Sequence, residues 1–236
     1  MFQDVIGDWP THDKFILTSC DEKYFQQYFP RFYKTYTEFW NMPIHVHVID
    51  PSEDAEEKLQ RLDLSYSICH TDERVLKWPY SYETYCQAQR FILLGFKMLE
   101  GQSVIVADVD SYALKTPSEK QRNYLSSGTG FTKYNGRLMA TFCNVHSSHR
   151  SDAHKAALKM KELIESTDKV GVDQLVIKEI FSRLEYNNLR HGEWIRHYDV
   201  KTDQDVAMHK RCLVYHEKGT RGKNKTVEIT WTDIGL

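Results

Sequence analysis

The sequence predicts an α/β domain with a mostly parallel central sheet, and three observations carry that expectation. Ser103-Val104-Ile105-Val106-Ala107 is short, continuous and largely β-branched, as in a strand buried on both faces. Two further strand-type runs, Phe15 to Cys20 and Pro43 to Ile49, precede it with a helical stretch between them. Strand, helix and strand thus alternate over the first half, which implies right-handed crossovers between parallel strands. The 236 residues suit one large domain, and no linker divides them.

Taken in order, the run Phe15-Ile16-Leu17-Thr18-Ser19-Cys20 is followed by a helix over roughly Lys23 to Phe39, rich in aromatics. Pro43 opens the second strand, and Asp50-Pro51-Ser52 closes it as a turn. Glu83 to Leu99 reads as a helix whose Ala88, Phe91, Ile92, Gly95 and Leu99 form one buried stripe. Gly101 stands where a helix C-terminus ends. Gly130 to Tyr134, the Asn135-Gly136 turn signal and Arg137 to Val145 form a hairpin. Asp152 to Glu165 is a helix burying Ala153, Ala156, Ala157, Met160 and Ile164, and Val172 to Arg183 is another. Cys212 to His216 and Thr226 to Trp231 are late strands or extended segments.

Composition excludes several classes. Hydrophobic residues are 41% and charged residues 27%, as in ordinary globular proteins. A formal net charge of −2 gives no global field for nucleic acid or an anionic membrane. The exception is local: Lys210 to Lys225 holds six Lys or Arg against Glu217, a candidate anion site. Five scattered cysteines with no Cys-x-x-Cys spacing argue against a disulfide framework and a thiolate zinc site, and fit a reducing, cytoplasmic setting. No apolar run reaches membrane-span length, and Met1 to Asp4 lacks a signal-segment pattern.

Two Asp-x-Asp pairs occur, Asp108/Asp110 and Asp203/Asp205, where composition alone predicts about one by chance. Context separates them. Asp203 and Asp205 lie in a polar stretch, whereas Asp108 directly follows the buried strand. Ligands of open α/β sheets bind beyond the carboxyl ends of the strands. Two carboxylates there repel unless a cation or a shared proton relieves them, and coordination of a hard cation together with substrate phosphates is the usual solution. The plainer alternative is that both aspartates cap the turn at Ser111-Tyr112, and local sequence leaves both readings open.

Five segments in chain order resemble the GT-A-fold glycosyltransferases, above all glycosyltransferase family 8 and its glycogenin-like relatives. They are Thr18 to Tyr24, Tyr85 to Leu94 with Arg90, Val104 to Asp110, Val172-Asp173-Gln174-Leu175, and Tyr215-His216-Glu217-Lys218-Gly219 with Gly222-Lys223. Two departures stand out: the lysine of the last element falls one residue late, at Lys223, without a following Pro-Trp. Ala140 to Asn144 only loosely echoes the family's Asn-x-Gly strand.

The resemblance implies a single GT-A-type domain, a Rossmann-like three-layer α/β/α sandwich. Its nucleotide-binding half covers about residues 1–112, with an acceptor half and C-terminal loop over about 113–236. It implies that Asp108, Asp110 and His216 hold Mn²⁺ or Mg²⁺. Thr18, Asp21, Tyr24, Arg90, Asp108, Val109, Gly219 and Lys223 would then bind the nucleotide-sugar donor. Asp173, Gln174 and Arg90 would act on the transferred sugar and the donor phosphates. The implied reaction moves a sugar from a UDP-sugar to a hydroxyl acceptor with retention of configuration.

Each role has a plainer alternative. Asp21 is a good helix N-cap, Tyr24 a half-buried aromatic, Asp173 another cap, and His216 a satisfied strand-end residue. Arg90 lies off the apolar stripe of its own helix, which by itself predicts a solvent-facing arginine. Lys218, Arg221 and Lys223 interleave with Gly219 and Gly222 as a cationic loop suited to a pyrophosphate, or as a solvated tail. His45 and His47 share one strand face without an evident third ligand. A non-catalytic nucleotide- or glycan-binding module stays open. An Asp-x-Asp phosphatase ranks lower because that motif normally follows the first strand.

Overall fold

The computed structural model describes residues 5–71, 82–134, 137–166, 171–190, 193–197, 212–216 and 229–236. A short edge strand β1 (Ile6–Gly7) precedes β2 (Lys14–Asp21), α1 (Glu22–Trp40), β3 (Ile44–Ile49), α2 (Glu53–Arg61) and β4 (Ser65–Cys69). Next come α3 (Tyr82–Lys97), β5 (Ser103–Ala107), β6 (Ser111–Ala113), α4 (Glu119–Ser126), β7 (Gly130–Tyr134) and β8 (Arg137–His146). The last are α5 (Arg150–Ser166), α6 (Val172–Phe181), β9 (Asn187–Arg190), β10 (Ile195–His197) and β11 (Val214–His216), with 3₁₀ turns at Ser147–His149 and Thr232–Ile234.

Eight strands form one mixed sheet in the order β1-β4-β3-β2-β5-β8-β7-β9. Its centre is parallel, with β2 paired to both β3 and β5 and β3 paired to β4. The β7–β8 hairpin adds antiparallel strands beside β5, as expected from sequence. A small sheet β10-β11-β6 stands apart.

Strand alternation explains where the core lies. Phe15 and Leu17 on β2 and Val104 and Val106 on β5 join one cluster with α3, α5 and α6. Ile16, Cys20, Ile105 and Ala107 join a second cluster with α1 and α2. Both sheet faces are therefore buried, and this is why the β5 sequence carries no polar alternation. On α1, Phe25, Phe29, Phe32, Tyr36 and Trp40 recur every three to four residues, and successive rings lie 4.4–6.0 Å apart.

Helix α5 buries the five residues expected of it. On α3 the expected stripe fails at one place: Leu99 lies beyond the helix and is 45% exposed, while Met98 is buried instead. Gly101 does take a left-handed backbone, with φ of 84°. Of the late segment Thr226 to Trp231, 226–228 fall outside the described residues, and Ile229 to Trp231 form no strand but lead into the final 3₁₀ turn.

Helices α3 and α5 meet at Gly95, where an added Cβ would collide with the Ala153 carbonyl and the Ala157 methyl. Gly95→Ala forces the helices apart, and about 1–3 kcal/mol of stability is lost. The urea midpoint is expected to fall with an unchanged slope.

The inner face of β3 and β4 carries a polar chain where parallel strands usually carry aliphatics. His45 Nδ1 and Nε2 meet Ser65 Oγ (2.9 Å) and Ser67 Oγ (3.0 Å). His47 Nδ1 meets Ser67 Oγ (2.9 Å), and its Nε2 meets Cys69 Sγ (3.3 Å). The histidine pair is therefore structurally satisfied. Burial lowers both pKa values to about 3, with His47 adding to the effect at His45.

Both folded values lie below the unfolded 6.5, so between about pH 6.5 and 3 the unfolded chain binds more protons. Stability is full above 6.5 and falls with acidification, by up to about 1.4 kcal/mol per pH unit per histidine. Urea midpoints at pH 7 and pH 5 should differ much less in the His45→Asn/His47→Asn variant than in the unaltered protein.

Candidate metal centre

The centre is assembled at the end of β5. Asp108 N donates to the Thr141 carbonyl (3.0 Å), so the first residue beyond the strand stays fixed to β8. The Ser111 amide and hydroxyl both donate to the Asp108 carbonyl, at 3.0 and 2.6 Å, and close a tight turn. Val109 is buried in the α1-side core and anchors that turn, so its two flanking carboxylates are carried on a fixed base.

Pairing in the small sheet supplies the third group. β11 runs antiparallel to β6 and places His216 opposite Ser111, next to Asp110. His216 Nε2 then lies 3.2 Å from Asp108 Oδ2 and 3.0 Å from Asp110 Oδ1. One ligand atom from each of the three residues lies within 4.8 Å of the others. Cis ligands of an octahedral cation held at about 2.1 Å are about 3 Å apart, so this spacing fits a divalent ion without large rearrangement. Two carboxylate oxygens and one imidazole nitrogen also suit Mn²⁺ or Mg²⁺ better than a thiophilic metal.

The other oxygen of Asp108 is held from the opposite side. Arg90 Nη2, on α3, lies 2.6 Å from Asp108 Oδ1 and 3.2 Å from Asp173 Oδ2 in the first turn of α6. It also approaches the Ala140 carbonyl at 3.5 Å. The helical stripe of α3 would leave this arginine to solvent, yet it is only 3% exposed. The physical reason is α6: packed against α3, it covers that flank and supplies a buried carboxylate there.

Electrostatics follow from the same geometry. Burial alone would lower the His216 pKa, but Asp110 and Asp108 around it raise it to about 10. Without a cation the imidazole is therefore charged and offsets the two carboxylates. Burial raises the Asp173 pKa, Arg90 lowers it, and the net direction is upward.

Two contributors have no sequence signal. Tyr36 OH lies 3.2 Å from Ser111 Oγ, which braces the Asp108 turn from α1. Thr35 Oγ1 accepts the Ala113 amide at 3.1 Å and fixes β6 to the same helix. Both arise from contacts over 75 residues or more in sequence, and their residue types alone point only to a buried helix face.

The remaining expected positions fall into three groups. Asp21 caps α1 by accepting the Tyr24 amide at 2.8 Å, and both residues are partly exposed at the carboxyl end of β2. Asp173 Oδ1 accepts the Gln174 amide at 2.8 Å, and Gln174 is half-buried. Thr18 is wholly buried, with no exposed side-chain surface. Gly219 and Lys223, with Lys218, Arg221 and Gly222, lie outside the described residues, as do Asp203 and Asp205. Among the described residues no helix is long and apolar enough to cross a membrane. The chain matches no known family model and no curated relative.

Proposed function

We propose that the protein is a metal-dependent, retaining glycosyltransferase of GT-A type, with a three-layer arrangement, moving a sugar from a nucleotide-sugar to a hydroxyl acceptor. UDP-sugars are the favoured donor class. The observation that carries this reading is the convergence of Arg90, Asp108, Asp110, Asp173 and His216 at the carboxyl end of a central parallel strand. That is the position at which open α/β sheets bind ligands.

A divalent cation on Asp108, Asp110 and His216 would supply Lewis-acid stabilisation of the leaving diphosphate. The chain's own residues do the rest. Arg90 pairs with Asp108 and offsets part of the desolvation of the buried Asp173. Asp173 and Gln174 open α6 beside that pair, where they can orient the sugar. Asp21 and Tyr24 sit at the neighbouring strand end, where Tyr24 can stack on a base. The basic sequence from Lys218 to Lys223 adds positive charge for a pyrophosphate.

A thermal-shift screen of nucleotides and nucleotide-sugars, with and without Mn²⁺, tests the reading. Stabilisation by one sugar nucleotide only with Mn²⁺, followed by release of its nucleotide on turnover, is the expected result. Binding without transfer or hydrolysis for any donor would move the protein to a non-catalytic binding module.

A further inference from the structure

A cavity of about 160 Å³ lies at the other end of the sheet from the metal centre. Ser103 in its wall begins β5, and Asp108 follows the end of that strand, so five residues separate the two places by roughly 15 Å. The floor is apolar, formed by Trp40, Met42, Ile105, Pro117 and Leu125. An apolar cavity of about 150 Å³ admits one benzene ring, so this one accommodates a single six-membered ring.

Most polar groups of the wall are already hydrogen-bonded, and Trp40 Nε1 is the exception among the described residues, a buried donor without a partner. Ser103 Oγ donates to Asn144 Oδ1 (3.0 Å), and Asn144 Nδ2 donates to the Leu125 and Gly128 carbonyls, both at 2.7 Å. Ser126 Oγ donates to the Arg122 carbonyl (2.9 Å). Apart from that indole N–H, the wall makes little demand for ordered water, and an apolar body can occupy the space.

Charge at the cavity has one sign. Lys14 and Arg122 are both exposed members of its lining, and no Asp or Glu lines it. Arg122 Nε donates to the Pro117 carbonyl (3.3 Å), which holds the guanidinium at the cavity. Among the described residues neither cation is paired with a carboxylate. A ligand with an apolar ring and a single carboxylate satisfies both halves of this lining, since desolvated carboxylates need a cationic partner.

We propose that this cavity is a second ligand site, independent of the metal centre, for a small monocarboxylate with one apolar ring. The ring fills the space over Trp40, Ile105 and Leu125, and the carboxylate lies between Lys14 and Arg122.

Calorimetry with benzoate, benzyl alcohol and benzylamine, which share the ring and differ in charge, tests it. Benzoate is expected to bind at least tenfold tighter than benzylamine. In Lys14→Ala/Arg122→Ala that preference is lost while benzyl alcohol binding is unchanged. Ser126→Phe, which brings a ring to the cavity from a half-buried position, should abolish binding of all three. Mn²⁺ affinity and circular dichroism should stay the same in both variants. The proposal is overturned if benzoate fails to bind at millimolar concentration, if the three probes bind alike, or if benzoate binding survives Ser126→Phe.

Discussion

Replacing Arg90 with methionine is expected to destabilise the protein by about 3–5 kcal/mol, the range for removing one partner of a buried ion pair. Methionine retains much of the aliphatic stem, so the loss is chiefly of charge. It leaves Asp173, only 3% exposed, without the guanidinium that opposes its desolvation. It also frees Asp108 Oδ1 from its 2.6 Å contact. The Asp173 pKa then rises further, because the guanidinium that lowers it is gone while burial still raises it. For a chain of this length the melting temperature should fall by roughly 6–20 °C. Adding Asp173→Asn to Arg90→Met should recover part of the loss, because the orphaned charge is gone. If the double variant is no more stable than the single one, the buried pair is not the source of the effect.

Asp108→Asn is expected to weaken Mn²⁺ binding by about 100-fold or more, a larger effect than loss of an outer-shell partner. Asparagine keeps one carbonyl oxygen for Arg90 but loses the negative charge that a hard cation requires. The turn should persist, because it is closed by the Asp108 carbonyl and not by its side chain. Far-UV circular dichroism should accordingly match the unaltered protein while Mn²⁺ affinity and any donor turnover collapse. Tight Mn²⁺ binding in this variant would remove Asp108 from the centre.

The central sheet was legible because burial on both faces writes itself as uninterrupted aliphatics, at Ser103 to Ala107 above all. The α5 helix was equally legible from its Ala153-Ala156-Ala157-Met160-Ile164 spacing. Helix α2 and strand β4 were not read. Glu53 to Arg61 buries only Ala55 and Leu59, too few apolar positions to show a stripe. Ser65 to Cys69 hides its strand character behind the serines that bond His45 and His47.

The site divides in the same way. Asp108 was placed by the strand before it, and Asp110 by spacing. Arg90 misled the helical pattern, since a helix wheel cannot register a buried carboxylate arriving from 83 residues away. Tyr36 and Thr35 carry the turn through non-local hydrogen bonds that no short motif encodes. Asp21 makes the amide contact of a plain helix cap, whereas Asp173, in the first turn of α6, accepts the amide of its neighbour Gln174. The N-cap of α6 is Gly171, so Asp173 is not a cap, and its long-range partner is Arg90.

Calorimetric titration of UDP, with Mn²⁺ and with EDTA, is the most direct test of a cation-dependent nucleotide site on Asp108, Asp110 and His216. The unaltered protein should bind UDP in Mn²⁺ and lose that binding in EDTA, and His216→Ala should fail to bind it in either buffer. UDP binding that is equal in Mn²⁺ and EDTA, or that persists undiminished in His216→Ala, would contradict the account.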